Sequence, residues 1–238
     1  MIRLGMLTCG AFDDETIGSK YEGDYVDFFY RGFTAAGREF SYKNYHVFED
    51  EFPDTIEECN AWLVTGSKNG AYEDLPWIHR LQSFVKKSYD AQIPLVGICF
   101  GHQLLAQALG GKVEKAKAGW GIGVQKYTLF EPLGGIEGNC LKLYAIHQDQ
   151  VVKLPPQGRV IASTDHCPIA AIRYQGPAVS FQPHPEFTKE FEHDLVKRNI
   201  GVNFSEKHGQ QALDSLETES VQNREVMAYI ADFITDYI

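Results

Sequence analysis

Short apolar runs alternate with helical periodicity along the first half of the chain. Strands are predicted at residues 3–8, 40–47, 61–65 and 93–98, where apolar and β-favouring residues cluster over strand-like lengths. A first helix is indicated by apolar residues at i, i+3, i+4 and i+7, namely Val26, Phe29, Tyr30 and Phe33. Alternating strands and helices are typical of an α/β fold with a mostly parallel central sheet.

Glycine and proline residues indicate where several helices begin or end. Gly37 suits the end of the first helix, because glycine readily adopts the left-handed conformation found at helix C-termini. Pro76 suits the first turn of a helix that runs to about Asp90. A further helix is predicted to begin at Cys99 and to end before Gly110.

The pattern changes in the second half of the chain, where short strand-like runs are separated by turn residues. Gly134-Gly135 and Gly176-Pro177 are turn signals of this kind. The runs predict strands at residues 123–130, 141–147, 160–163, 169–174 and 178–182. We expect them to form a small antiparallel region in addition to the parallel sheet.

Residues from about 187 to 238 are predicted to form a helical C-terminal extension. An apolar stripe near the C-terminus, which includes Val226, Ile230 and Phe233, predicts an amphipathic helix docked on the rest of the protein. Residues 199–209 have no regular pattern. We expect residues 1–238 to form one domain, because α/β domains often reach this length.

Composition and charge narrow the class of protein. The net charge of 22 − 32 = −10 gives no general electrostatic basis for binding nucleic acid or an anionic membrane. No apolar run approaches the roughly 18 residues of a membrane-spanning helix, and no signal peptide is evident. We therefore expect a cytoplasmic protein that binds neither nucleic acid nor membrane.

The cysteines and histidines predict neither disulfides nor a metal site. The five cysteines are scattered, odd in number and without C-x-x-C spacing, which favours a reducing compartment. His166 and Cys167 are adjacent, but no further ligand lies at a usable spacing, so an ordinary loop is favoured. No metal or organic cofactor is expected.

A possible nucleophile lies at Cys99. Residues 97–101 read G-x-C-x-G between a predicted strand and a predicted helix, which is the context of a nucleophile elbow. The helix N-terminus favours a thiolate, and the backbone N–H of Phe100 points where an oxyanion would form. The alternative is a buried cysteine with a purely structural role.

A possible general base follows the last predicted strand. His184 lies between two prolines that restrict the backbone, and Glu186 is two positions further along the chain. In an extended segment these two side chains project to the same side, so the carboxylate can hold the imidazole and stabilise its protonated form. The alternative is a simple turn that is followed by a surface glutamate.

The two motifs together resemble the class I glutamine amidotransferase family. The C-F-G-H-Q run that begins at Cys99 and the H-P-E run that begins at His184 have the order and spacing of that family's Cys-His-Glu triad. The chain is most similar to the stand-alone branch that resembles the amidotransferase part of GMP synthase and the plant γ-glutamyl peptidases. The resemblance covers most of the chain and implies a three-layer, flavodoxin-like α/β sandwich.

The resemblance also implies a second oxyanion-hole donor. The loop after the third predicted strand, around Gly66, would supply an N–H group that acts together with that of Phe100. In this chain Ser67 and Lys68 follow, where many relatives have glycine and proline. A plain strand-to-helix loop is the alternative.

Further positions match substrate-binding positions of the family. Ser67 belongs to the glycine loop, and Gln103 is implied to contact the substrate, although helix packing is an alternative for it. His147, Gln148 and Asp149 are implied to help bind the α-amino and α-carboxyl groups of glutamine, although they could instead cap a turn. Residues 119–123 match a segment that often carries glutamate in the family, but here no acidic residue is present.

The implied activity is hydrolysis of the γ-amide of glutamine through a γ-glutamyl thioester on Cys99. The ammonia would pass to an unidentified acceptor, and a separate synthetase subunit is a possible partner. One alternative is a γ-glutamyl peptidase that acts on glutathione-like compounds. A further alternative is a regulatory or redox-sensing protein, because an activated thiolate is easily oxidised.

Overall fold

The computed structural model describes residues 1–11, 20–21 and 25–238. The strands of these residues are β1 (Arg3–Thr8), β2 (Ser41–His46), β3 (Ala61–Val64), β4 (Leu95–Ile98), β5 (Lys112–Lys115), β6 (Gly121–Leu129), β7 (Cys140–His147), β8 (Asp149–Lys153), β9 (Gly158–Ser163), β10 (Ala171–Tyr174) and β11 (Ala178–Phe181). Their α-helices are α1 (Asp27–Ala35), α2 (Pro76–Asp90), α3 (Phe100–Ala108), α4 (Lys189–Asn199), α5 (Glu206–Thr218) and α6 (Asn223–Asp236).

Nine strands form one sheet in the order β2-β1-β3-β4-β11-β10-β9-β6-β7. Neighbours from β2 to β11 are parallel, and neighbours from β11 to β7 are antiparallel. β5 and β8 form a separate two-stranded antiparallel sheet. The α/β class is therefore confirmed, and most of the antiparallel strands continue the main sheet.

Helices cover both faces of the parallel half of the sheet. The two faces of β1 show this arrangement, because successive side chains of a strand point to opposite faces of the sheet. Leu4 packs in one apolar cluster with Phe29 of α1 and Ile230 of α6, whereas Leu7 packs in another cluster with Leu81 of α2. The result is the three-layer arrangement implied by the resemblance.

The signals for helix boundaries are confirmed at three positions. Gly37 follows α1 with a left-handed φ of 73°, and Gly110 follows α3 with a φ of 94°. Pro76 is the first residue of α2. Among the described residues, no helix combines the length and the apolar character needed to cross a membrane.

Two regions were not predicted from the sequence. β5 and β8 pair with each other in a small sheet and expose several polar side chains, so they lack a continuous apolar run. Residues 199–209 contain the end of α4, a turn in which Gly201 has a φ of 75°, and the start of α5. The side chain of Ser205 caps α5 by accepting a hydrogen bond from the backbone N–H of His208.

The turn between β4 and α3 has the strained geometry of a nucleophile elbow. Cys99 adopts a φ of 53° and a ψ of −104°. Residues other than glycine rarely adopt this backbone conformation. A Cβ atom on Gly97 would lie 2.5 Å from the carbonyl oxygen of Gly101. A Cβ atom on Gly101 would lie 2.2 Å from the carbonyl oxygen of Val64 in β3. Both glycines are therefore required by close backbone packing.

We predict that Gly101→Ala lowers the free energy of unfolding by about 1–3 kcal/mol, because the new methyl group meets strand backbone that cannot rotate away. Urea denaturation measures the loss. Gly134→Ala is the matched control, since a Cβ atom there has no neighbour within 4 Å. Equal stability of the two variants would contradict the proposed packing.

Candidate active site

The side chains of Cys99, His184 and Glu186 meet at the carboxyl edge of the sheet. Cys99 follows β4 and His184 lies just beyond β11, and these two strands are parallel neighbours. The Nδ1 atom of His184 lies 2.7 Å from Oε1 of Glu186. All three residues are buried, with 3–7% of their surface exposed. The two sequence motifs are therefore brought together in space.

The imidazole ring of His184 is held from several sides. Its backbone N–H donates to the carbonyl oxygen of Tyr144 at 2.9 Å, which fixes the start of the H-P-E segment. The ring stacks on Phe187 with a centroid distance of 3.9 Å and an angle of 7° between the planes. The hydroxyl of Tyr25 donates to Oε1 of Glu186 at 2.8 Å, so one carboxylate oxygen accepts from both Tyr25 and His184.

The surroundings of His184 favour its protonated form. Burial alone lowers its pKa, because a charged group loses hydration inside the protein. The negative charges of Glu186 and Cys99 outweigh this effect and raise the pKa of His184 well above its ordinary value. An imidazolium at this position can stabilise a thiolate on Cys99.

Backbone N–H groups of Gly66 and Phe100 lie beside the same centre. A Cβ atom on Gly66 would lie 3.3 Å from Cε1 of His184 and 3.8 Å from Cβ of Cys99. Phe100 is the first residue of α3, where N–H groups have no partner within the helix. Within the described parts of the chain, neither N–H donates to a protein acceptor. Both groups are therefore available to a ligand.

The predicted substrate-binding residues line one pocket of about 720 Å³ together with Cys99 and His184. The lining includes Gly66, Ser67, Gln103, His147, Gln148 and Asp149. Phe100 and Glu186 lie behind this wall: the Phe100 ring packs against Trp77 at 5.6 Å between centroids. The side chain of Ser67 already makes a hydrogen bond within its own loop, because its Oγ accepts from the backbone N–H of Asn69 at 3.2 Å.

One part of the pocket is polar. Glu73 accepts hydrogen bonds from the backbone N–H of Gly70 at 2.6 Å and from the side chain of Asn69 at 2.9 Å. These bonds lower the pKa of Glu73, which therefore stays ionised. Asp149 accepts from the hydroxyl of Tyr72 at 3.2 Å. Burial raises the pKa of Asp149, although this hydrogen bond and the nearby Lys115 act to lower it. Lys115 also acts to lower the pKa of Glu73.

Another part of the pocket is apolar and was not predicted from the sequence. Phe191 and Leu195 of α4 line it, four residues apart on one face of the helix. Trp120 and Val202 add further apolar surface, and Arg198 adds a positive charge at the same wall. The signal for this wall is the helical spacing of Phe191, Leu195 and Arg198, which is readable in the sequence.

His147 is neutral in this pocket. Burial, and then the nearby His166, lower the pKa of His147 to about 3. The two rings occupy the space that a side chain at Gly121 would need, because a Cβ atom there would lie 3.0–3.2 Å from both. His147 can therefore take part in substrate binding only through hydrogen bonds, and not as a cation.

Among the described residues, one group of side chains has the spacing to hold a metal ion. The ligand atoms of His46, Glu49 and Glu51 lie within 4.8 Å of one another. They sit at or just after the end of β2, partly or fully exposed, and they do not line the pocket. Exposed acidic groups of this kind are common without a bound ion.

A second buried carboxyl group lies near the triad. Oε1 of Glu192 accepts from the backbone N–H of Gly123 at 3.2 Å, while Oε2 has no partner among the described residues. Burial raises the pKa of Glu192 to about 8, with His184 acting to lower it and Glu186 to raise it. Glu192 is therefore mostly uncharged at neutral pH.

We predict that the stability of Glu192→Gln relative to the native chain rises between pH 5 and pH 8. The carboxyl of Glu192 has a raised pKa in the folded protein, so between pH 5 and pH 8 unfolding releases its proton. The free energy of unfolding of the native chain therefore falls as the pH rises towards 8. Glutamine has no proton to release. The difference in unfolding free energy should grow by at most about 1.4 kcal/mol per pH unit, measured by urea denaturation.

The control for this prediction is Glu190→Gln, which changes an exposed residue on the same helix. Its stability relative to the native chain should vary much less over this pH range. A difference between Glu192→Gln and the native chain that stays constant with pH would show that Glu192 is ionised in the folded protein.

Comparison with known proteins agrees with this arrangement. The family model for glutamine amidotransferase class-I matches residues 32–202, a segment that includes Cys99, His184 and Glu186. γ-Glutamyl peptidase 5 of Arabidopsis thaliana is 30% identical over 206 residues, covering 83% of this chain and 81% of that protein. A glutamine-hydrolysing GMP synthase of Thermus thermophilus is 42% identical over 100 residues, covering 41% of this chain and 20% of that protein.

A solved structure shares the whole fold. The crystal structure of a glutamine amidotransferase from Thermotoga maritima superposes with a TM-score of 0.74 at 19% identity. The superposition covers 99% of this chain and 97% of that one. On the family match and the fold, this chain is a member of the class I glutamine amidotransferase family.

Proposed function

We propose that this protein hydrolyses γ-glutamyl amide bonds through a thioester on Cys99, and that it acts on γ-glutamyl compounds whose leaving group is larger than ammonia. The observation that carries the proposal is the contact of Cys99, His184 and Glu186 at a pocket with both a polar and an apolar wall. The similarity to a γ-glutamyl peptidase over most of both chains supports it.

The reaction begins with the pair formed by the Cys99 thiolate and the His184 imidazolium. The sulfur attacks the γ-carbonyl carbon, and the carbonyl oxygen becomes an oxyanion that accepts from the N–H groups of Phe100 and Gly66. His184 then donates its proton to the leaving nitrogen, the C–N bond breaks, and the γ-glutamyl thioester remains on Cys99. Glu186 keeps the ring oriented during this transfer.

Hydrolysis of the thioester restores the enzyme. His184, now neutral, accepts a proton from a water molecule that attacks the thioester carbon, and the same N–H groups stabilise the second oxyanion. The C–S bond breaks, glutamate leaves, and Cys99 returns to the thiolate. These steps balance without a metal or an organic cofactor.

The polar wall suits the amino-acid end of a γ-glutamyl group. Glu73, which stays ionised, and Asp149 can bind the α-ammonium group. Lys115 lies beside these carboxylates and can bind the α-carboxylate. Orienting both charged groups positions the γ-carbonyl near Cys99, because the γ-glutamyl chain is short.

The apolar wall suits the leaving group. Ammonia has no apolar surface to bury against Phe191, Leu195 and Trp120, whereas the second residue of a γ-glutamyl dipeptide has such a surface. The pocket chemistry therefore favours a γ-glutamyl peptide over glutamine.

A second candidate is glutamine amidotransferase activity with a separate ammonia-accepting synthetase subunit. The 42% identity to part of a glutamine-hydrolysing GMP synthase favours it. The two candidates share the chemistry at Cys99 and differ in the leaving group.

We predict that the purified protein hydrolyses γ-glutamyl-phenylalanine with a higher kcat/KM than L-glutamine, because the apolar wall binds the phenylalanine ring. Release of glutamate from the two substrates is measured side by side. Cys99→Ala should lose at least about 10⁴-fold in kcat, since no other group in the mechanism can form the thioester. Cys140→Ala, at an exposed cysteine, is the matched control and should keep full activity.

A preference for glutamine over the dipeptide would favour the amidotransferase candidate. Turnover of the dipeptide that survives Cys99→Ala would contradict the thioester mechanism itself.

A further inference from the structure

Two buried glutamine side chains link the Cys99 sulfur to the backbone. The Nε2 atom of Gln182 lies 3.7 Å from Sγ of Cys99, within range of an N–H···S hydrogen bond. The Nε2 atom of Gln103 donates to Oε1 of Gln182 at 3.1 Å and to the carbonyl oxygen of Asp149 at 2.8 Å. Gln182 is fully buried and Gln103 is 3% exposed.

The direction of these hydrogen bonds is fixed at the backbone carbonyl of Asp149. A backbone carbonyl can only accept a hydrogen bond, so the NH₂ group of Gln103 has to face Asp149. The second hydrogen of that NH₂ group then meets Oε1 of Gln182. The NH₂ group of Gln182 is thereby turned towards Cys99, and an inverted amide would set two NH₂ groups against each other.

The position of Gln182 is also fixed through its backbone. Its N–H donates to the carbonyl oxygen of Ala170 at 2.8 Å, and the next residue, Pro183, restricts the main chain. The side chain therefore does not need to be ordered when the sulfur becomes charged. Preorganised donors of this kind favour the charged form of the group they face.

Other ionisable groups near the sulfur carry no charge that would repel a thiolate. Burial raises the pKa values of Tyr25 and Tyr127 well above their ordinary values and that of Cys167 to about 12, so these groups are neutral at neutral pH. Cys9 also has a raised pKa because of burial. Groups that favour the charged sulfur include His184, the N-terminus of α3 and Gln182.

We propose that Gln182 stabilises the thiolate of Cys99 through its amide N–H, and that Gln103 is a positioning residue that holds the Gln182 amide in the required orientation. The inference rests on the proposed function, because it assumes that Cys99 reacts as a thiolate. It gives Gln103 a task besides substrate contact, since both hydrogens of its NH₂ group are used within the protein.

Alkylation of Cys99 by iodoacetamide tests the proposal without any γ-glutamyl substrate. The rate is measured from pH 5 to pH 10 in a Cys140→Ser background, which removes the exposed cysteine, and modification is followed by mass spectrometry of the peptide that contains Cys99. The midpoint of the profile reports where the thiolate forms.

Gln182→Met keeps the length of the side chain and removes the donor. We expect the midpoint of the alkylation profile to move to higher pH by about one unit, which is about a tenfold lower rate on the acidic side of the profile. Gln103→Met leaves Gln182 in place but frees its amide to turn, so a smaller shift in the same direction is expected.

The matched control is Gln107→Met, which changes a glutamine on α3, the helix that carries Gln103. Gln107 bonds to the backbone N–H of Val113 at 3.1 Å and does not line the pocket, so its loss should leave the midpoint unchanged. Thermal unfolding of each variant shows whether it is folded. An unchanged midpoint in folded Gln182→Met would overturn the proposal, and if that variant does not fold, an unchanged midpoint in Gln103→Met would do so.

This outcome is separate from that of the proposed function. A shifted midpoint together with no turnover of any γ-glutamyl compound would uphold the role of Gln182 and contradict the proposed substrate class. Turnover of a γ-glutamyl compound with an unchanged midpoint would uphold the proposed substrate class and contradict the role of Gln182.

Discussion

The contact between His184 and Glu186 is the interaction on which the rest of the site depends. A protonated imidazole is costly to bury unless a negative group lies beside it and its hydrogen bonds are made. Glu186 meets this need at 2.7 Å, and its charge is a main reason why the pKa of His184 is raised despite burial. Without that charge, only Cys99 would oppose the effect of burial on the imidazolium.

The fold creates the conditions for this contact. Parallel pairing of β4 with β11 sets two strand ends side by side, and these strand ends carry the two motifs. The strained turn at Cys99 directs the side chain to the pocket and is possible because Gly97 and Gly101 leave room for the backbone. Phe187 covers one face of the imidazole and keeps it out of water. Backbone strain and burial therefore coincide where the chemistry is proposed to occur.

The sequence predicted the parts of the structure that depend on local patterns. The strands β1, β3 and β4, the stop at Gly37, the start at Pro76 and the elbow at Cys99 all follow from short runs of residues. Sequence reasoning also selected His184, which lies between two prolines just after a strand, and Glu186 two positions further on, although residues 185–186 form a turn and not the extended segment that was expected.

Residues that act through distant contacts were not predicted. Gln182 touches Cys99 across 83 positions, and Tyr25 reaches Glu186 across 161 positions. Neither belongs to a motif whose chemistry is readable from spacing alone. The strands β5 and β8 were missed for a different reason, since they expose polar side chains and lack an apolar run.

The most direct test of this account is the protonation state of His184 in the resting protein. Nitrogen-15 NMR of a histidine-labelled sample distinguishes a doubly protonated ring from a neutral one, and His184→Gln assigns the signal. We predict a doubly protonated ring at pH 7, with loss of the second proton well above the ordinary value of 6.5. A neutral ring at pH 7 that gains its proton only below 6.5 would contradict the central role given to the pair of His184 and Glu186.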